Sequence, residues 1–156
     1  MEKRRFGRTG LEFSALGFGC GAVGGLMIKG TPADQERAVA RALELGINYF
    51  DTAQMYGNGQ SETNLGRVLQ KLKPNIYVGT KVRLRPTERG QIGAAIAASL
   101  EASLKRLQLD SVDLFQFHNA IVDKTNGADF ALTMFHPAQP HSAVGARCSS
   151  SALSAS

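Results

Sequence analysis

Four polar residues far apart along the chain have the side chains of a proton-transfer site: Asp51, Tyr56, Lys81 and His118. A tyrosine hydroxyl ordinarily titrates near pH 10, so it can protonate a forming alkoxide but regenerates slowly at neutral pH unless it is tuned. An ammonium group beside a phenol favours the phenolate left behind, and a carboxylate would hold that ammonium in place. A histidine can hydrogen-bond a carbonyl oxygen as charge builds on it. Together these groups would suit reduction of a C=O bond, with a separate donor supplying hydride. Each residue also has a plainer use: Asp51 as a loop cap, Tyr56 as a half-buried aromatic, Lys81 as surface charge, His118 as a satisfied core histidine. Their shared placement at strand ends argues against four separate explanations.

That placement follows from the elements. The opening residues predict a short hairpin around Gly7 to Gly10, then an apolar strand near Ser14 to Phe18. Gly19 to Gly30 reads as a glycine-rich loop, too flexible for a helix. Thr31 can cap a helix with Pro32 at its first position and Asp34 in its first turn. This helix buries Ala38, Val39, Ala42 and Leu45 and stops at Gly46. Ile47 to Asp51 is a strand, and Ser61 caps a second helix with Leu65, Val68, Leu69 and Leu72 on one face, ended by Pro74. Ile76 to Val82 is a strand. Thr87 opens a third helix carrying Ile92, Ile96, Leu100, Leu104 and Leu107, and Val112 to His118 is a fourth strand. Alternation of this kind predicts an α/β fold of parallel strands joined by crossovers. In such a sheet Asp51, Lys81 and His118 emerge at one edge, with Tyr56 just beyond it.

A competing nucleotide site is also legible. Gly19-Cys20-Gly21-Ala22-Val23-Gly24 spells G-x-G-x-x-G after a strand, and Asp51 ends the next strand, as in a Rossmann-type NAD(P) dehydrogenase. That motif needs its glycines to lead directly into a helix that receives the pyrophosphate. Here Gly25 and Gly30 follow and the capped helix begins only at Thr31, so the loop is too long for the compact fingerprint. A helix starting near Gly24 to Leu26 would bring that reading forward.

Composition narrows the classes further. With 156 residues, 43% hydrophobic and 20% charged, the chain can bury a core and is too apolar for a disordered polymer. Two cysteines do not make a disulfide scaffold. Lys plus Arg number 18 against 13 acids, a formal charge of +5, but the basic residues are scattered and tryptophan is absent, which argues against a nucleic-acid partner. No apolar run suits a membrane span or a signal peptide, so a soluble, cytoplasmic setting is the expectation. His136, His141 and Cys148 lack zinc-type spacing, and no metal site is expected. Cys20 reads as a small loop residue rather than a nucleophile.

On these residues the sequence resembles the aldo-keto reductase family. Gly46 to Leu69 (GINYFDTAQMYGNGQSETNLGRVL) is similar to that family's signature segment, and the likeness continues through YVGTKV around Lys81 and VDLFQFH around His118. It covers roughly residues 5–119. The resemblance implies a TIM (β/α)8 barrel, NADPH as hydride donor, a small carbonyl substrate, Tyr56 as general acid, Lys81 and Asp51 as its tuning partners, and His118 as the group orienting substrate. It also implies that Gly19, Cys20 and Gly21, with Asp51, lie beside the nicotinamide.

A complete barrel needs about 250 residues. The expectation is therefore the first half of such a barrel, about four βα units over residues 1–134 with an N-terminal hairpin, followed by an irregular tail at 135–156 dominated by Ser and Ala. A shifted frame or truncation would produce that pattern. A half barrel would expose strand edges and its interior, so weak or absent activity and self-association through those edges are expected. A non-catalytic half barrel that dimerises or joins another chain is the rival reading.

Overall fold

The computed structural model describes residues 1–119 and resolves why the sequence alternates as it does there. Two short strands, β1 (Lys3–Arg5) and β2 (Glu12–Ser14), pair antiparallel as the expected hairpin, with Gly7 and Gly10 taking the positive φ that its turn requires. The chain then bends, so the strand expected across Ser14 to Phe18 is split. Its start belongs to the hairpin, and its end forms β3 (Phe18–Gly19) of a second sheet.

The glycine-rich loop holds one helical turn, α1 (Leu26–Lys29), where the sequence predicted none. Gly25 enters it at φ 63°, and Met27, only 1% exposed, is its anchor in the core. Burial of one large apolar side chain outweighed the poor helix propensity of the flanking glycines. The longer helix α2 (Pro32–Glu44) begins where expected: the Thr31 hydroxyl accepts from the Asp34 amide, and Pro32 occupies the first turn. Val39 and Ala42 are buried and Ala38 partly so, but Leu45 caps the C-terminus and is exposed, its place in the core taken by Leu43.

Strand β4 (Tyr49–Asp51) leads to α3 (Gln60–Leu72), β5 (Tyr77–Val82), a 3₁₀ segment (Pro86–Gln91), α4 (Ile92–Leu107) and β6 (Leu114–Phe117). Gly59, not Ser61, is the N-cap of α3; Ser61 lies inside the helix with its hydroxyl used elsewhere. The third helix starts at Ile92 rather than Thr87, because its first residues tighten into the 3₁₀ segment. Strands β3, β4, β5 and β6 form one parallel sheet in sequential order. A Rossmann sheet reverses its strand order at the cofactor crevice. A helix does begin at Leu26, as that reading asked, but α1 is a single turn that does not cross to the next strand, and the described residues show no reversal, so that reading falls.

Alternation along the strands sends Phe50, Val78, Thr80 and Val82 toward the helices and Tyr49, Asp51, Tyr77, Gly79 and Lys81 to the opposite face. The helix side closes over Phe50, Leu65, Val68, Leu100, Leu107 and Val112, all fully buried. A buried ion pair ties it together: Arg106 Nε donates to Glu62 Oε2 at 2.6 Å and Thr80 Oγ1 donates to Oε1 at 2.6 Å, joining α4, α3 and β5. On the other face, the hairpin's Phe13 stacks on Tyr49 at 4.7 Å and packs against Tyr77 at 5.0 Å. The hairpin thus covers the N-terminal edge of the sheet and leaves the C-terminal edge for other work.

Helices α3 and α4 pack closely at Gly66, where an added Cβ would lie 2.5 Å from the Leu107 carbonyl oxygen. Overpacking of this kind costs about 1–3 kcal/mol, against about 1 kcal/mol gained by alanine in a helix interior. Gly93 in α4 faces open space. Gly66→Ala is therefore expected to destabilise the chain and Gly93→Ala to stabilise it by up to about 1 kcal/mol. Urea unfolding checks both; stabilisation by Gly66→Ala would show that the helices are not in backbone contact.

Candidate active site

At the C-terminal edge the sheet delivers Asp51 from the end of β4 and Lys81 from near the end of β5, on the same face. The loop from Thr52 to Gly59 returns Tyr56 over them. The Tyr56 amide donates to Ala53 O at 3.0 Å, closing a turn, and Gly57, Asn58 and Gly59 all adopt positive φ to lead into α3. His118 follows β6, its amide extending the ladder to Val82 O at 2.7 Å. All four residues expected from the sequence converge there.

Lys81 is the centre. Its Nζ donates to Asp51 Oδ2 at 2.6 Å, to Thr52 O at 2.9 Å and to Tyr56 Oη at 3.5 Å. An ammonium group has three protons and accepts nothing, so Tyr56 Oη is the acceptor in the third contact. Its own hydroxyl proton is left for another partner. The Lys81 side chain is 11% exposed and that of Asp51 31%, so the pair is shielded from bulk water but reachable. The ammonium also lies 5.0 Å from the Tyr56 ring centroid.

The His118 ring meets the Tyr56 ring edge-on, centroids 5.6 Å apart at 87°. Burial, then the charges of Lys81 and Arg83, push the imidazole pKa below its ordinary 6.5, against an opposing pull from Asp51. The ring is therefore neutral at pH 7, with one nitrogen donating and one accepting. Its Nδ1 is buried with no hydrogen-bond partner among the described residues.

The glycine-rich loop behaves unevenly. Gly19 pairs with Asp51 across β3 and β4, and the ideal Cβ position at Gly19 faces open space. Gly21 lies against the Tyr56 ring, 3.5 Å from where its Cβ would be. Cys20 turns the other way, into the core at 1% exposure, its amide donating to Asp51 O at 2.8 Å. Burial, aided by Asp51, pushes its thiol up to about 12, so it is neither nucleophile nor redox handle at neutral pH.

Several supporting residues escaped the sequence reading. Ser61 Oγ donates to Cys20 O at 2.8 Å, so the 2.9 Å contact with Thr52 Oγ1 uses the threonine's proton. These two buried hydroxyls lock the β3 end to the loop that carries Tyr56. Asn119 pairs with both backbone groups of Leu84, at 2.9 and 3.0 Å, bracing β5 against β6 past their ends. Tyr49 donates to Asp51 Oδ1 at 3.2 Å. Tyr49 was legible in principle: two residues before Asp51 in a strand, it had to share its face. The hydroxyl pair carried no such signal. No cluster among the described residues could hold a metal ion, and no helix there is long and apolar enough to cross a membrane. The tail beyond Met134, with His136, His141 and Cys148, lies outside the described residues.

Comparison with known proteins matches this geometry to a family. The family model for aldo/keto reductases matches residues 15–136. The chain is 34% identical over 131 residues to an uncharacterised oxidoreductase of Bacillus subtilis (strain 168), covering 79% of this chain and 40% of the relative. Among solved structures it is similar to the holo form of an aldo-keto reductase from Bacillus halodurans, with a TM-score of 0.64 and 35% identity over 80% of this chain and 42% of that one. It is similar also to an aldo-keto reductase from Klebsiella pneumoniae in complex with NADPH, with a TM-score of 0.60 and 30% identity over 78% and 41% of the two chains. The chain thus spans about two fifths of the length of these proteins, and their likeness implies a TIM-barrel-like α/β fold for it. Signature segment, parallel sheet and converging side chains agree: the chain belongs to the aldo/keto reductase family.

Proposed function

We propose that this chain carries the proton-handling side of an NADPH-dependent reduction of a small aldehyde or ketone to an alcohol, as an oxidoreductase of its family. The observation that supports this most is the three-way contact of Lys81 with Asp51, Thr52 and Tyr56 at one sheet edge. In this reading Asp51, Tyr56, Lys81 and His118 are the catalytic residues.

The residues present fit the nicotinamide end of such a cofactor. Gly21 presents backbone without a side chain against the Tyr56 ring, and Gly19, the register partner of Asp51, faces open space. With the backbone of Cys20, these groups would hold the ring. The cofactor, when bound, supplies the hydride. Tyr56 donates its hydroxyl proton to the carbonyl oxygen, because the other side of Oη already accepts from Lys81. Lys81 then faces the phenolate and steadies its charge, and Asp51 keeps the ammonium in position. Neutral His118 can donate a hydrogen bond to the substrate oxygen without competing with Tyr56 as the acid. The similarity to a Klebsiella pneumoniae protein solved with NADPH favours that cofactor.

Tyr56→Phe keeps the ring against Gly21 and His118 and removes only the acid. It is expected to lower carbonyl-dependent NADPH oxidation by about 10²-fold or more while NADPH binding, read by fluorescence quenching, stays unchanged. Equal turnover in the two proteins would refute the assignment of Tyr56. Absence of any quenching, together with a concentration-dependent dimer, would favour the non-catalytic module instead.

His118 offers a second test. Its folded pKa lies below 6.5, so between that value and about 6.5 the unfolded chain holds more of this proton than the folded one. Stability contributed by the neutral ring is complete above about pH 6.5 and is lost as pH falls through the folded pKa. The His118 ring resonance is expected to titrate below 6.5 by NMR, moving toward 6.5 when Arg83→Gln removes one of the two repelling cations. A midpoint at or above 6.5 in the wild-type chain would contradict the neutral donor role.

A further inference from the structure

The Asp51 carboxylate has two oxygens, and the reaction described above uses only one. Oδ2 accepts from Lys81, while Oδ1 accepts from the Tyr49 hydroxyl at 3.2 Å. Tyr49 is not a surface tyrosine that happens to lie near. Its ring is stacked on Phe13 at 4.7 Å with planes 7° apart, and Phe13 is in turn stacked on Phe6 at 5.0 Å. Two glycines shape the slot: a Cβ at Gly17 would lie 3.0 Å from Tyr49 Cδ1, and one at Gly79 would lie 2.5 Å from Tyr49 Oη. Gly79 is the register partner of Asp51 on the neighbouring strand, so its missing side chain opens the path by which the phenol reaches the carboxylate. Burial, and then the neighbouring Asp51 charge, raise the Tyr49 pKa well above the ordinary tyrosine value, which keeps this phenol a donor at working pH.

From this geometry we propose that Tyr49 is a positioning residue that holds the Asp51 carboxylate in the rotamer that grips Lys81, with the N-terminal hairpin as its backstop. The proposal rests on the functional reading only in that Lys81 serves Tyr56; the hold on Asp51 is a property of the protein alone. A carboxylate on a strand end with one oxygen free can rotate about χ1 and χ2 and offer either oxygen, or water, to the ammonium. With Tyr49 engaging Oδ1, Oδ2 is presented to Lys81 and the lysine's third proton stays directed at Tyr56. The same bond links catalysis to the far edge of the sheet: Phe6, Phe13, Tyr49, Asp51, Lys81 and Tyr56 form an unbroken series of contacts. The hairpin is then more than a cover.

Tyr49→Phe tests this directly in the full chain without cofactor or carbonyl compound, because phenylalanine keeps the stack on Phe13 and removes only the hydroxyl. The expected results are Asp51 χ1 couplings that pass from a single rotamer to averaged values by NMR, and acylation of Lys81 that rises roughly five-fold relative to exposed Lys71, the factor matching one hydrogen bond of ordinary net strength. Gly79→Ala, which leaves the phenol in place but crowds its oxygen, is expected to give the same two changes and serves if Tyr49→Phe does not fold. Asp51 couplings and Lys81 labelling that match wild type in a folded variant would overturn the proposal. Loss of activity in Tyr56→Phe is a separate result, so a failure of the catalytic reading and a failure of this one cannot be confused.

Discussion

An ammonium ion has three protons to place and no lone pair with which to accept, and in this chain that simple constraint organises the site. Lys81 gives one proton to a carboxylate, one to a backbone carbonyl and one to a phenol. The carboxylate and the carbonyl belong to consecutive residues, Asp51 and Thr52, where β4 runs out into its loop. If β4 slipped by one residue against β5, Asp51 would turn to the helix side and the ammonium would lose two acceptors at once. A lysine only 11% exposed cannot accept that loss cheaply, since a charge removed from water must be paired. Strand register and the Lys81 contacts are one condition.

The helix side of the sheet enforces the same register by other means. Thr80 lies between Gly79 and Lys81 and points the opposite way, into the Glu62–Arg106 pair. Adjacent residues of β5 are thus fastened on both faces by charge-assisted hydrogen bonds, which are shorter and stronger than neutral ones. The loop that carries Tyr56 runs between these two anchors. It starts at Thr52, held by the Gly79 carbonyl and the Ser61 hydroxyl, and ends at Gly59, where there is no room for a Cβ beside the Arg106 side chain. An eight-residue excursion tied at both ends can hold a phenol to a fraction of an ångström.

Much of this was legible beforehand because the relevant signals are local or periodic. The alternation of apolar residues located α2, α3 and α4 and the strands between them. Parallel connection then required Asp51, Lys81 and His118 to emerge at the same edge. What escaped detection depended on tertiary burial or on single atoms. Leu45 fits the apolar stripe of α2, yet it became the cap because Gly46 turns the chain there, and Leu43 filled the core instead. Ser61 looks like a cap, but a hydroxyl facing a buried carbonyl from another strand does more in the interior than at a helix end already served by Gly59. The one-turn helix at Leu26 was hidden by its glycines, since propensity cannot register that Met27 would find a fully enclosed site. Cys20 was grouped with Gly19 and Gly21 by sequence, and strand alternation then sent its side chain to the core.

Charge around the imidazole completes the logic. Lys81 and Arg83 both stand near His118, and both oppose its protonation. A positively charged histidine there would repel the ammonium beside the phenol, and in the proposed reaction it would compete with Tyr56 to protonate the substrate oxygen. In the proposed reaction a neutral ring leaves Tyr56 as the acid and Lys81 as the cation beside it, with distinct tasks. That division needs the Asp51 carboxylate to stay committed to Lys81, because a carboxylate swung toward His118 would raise the imidazole pKa and undo it. The second oxygen of Asp51, which accepts from the Tyr49 phenol stacked on the hairpin, therefore matters for the histidine as well as for the lysine.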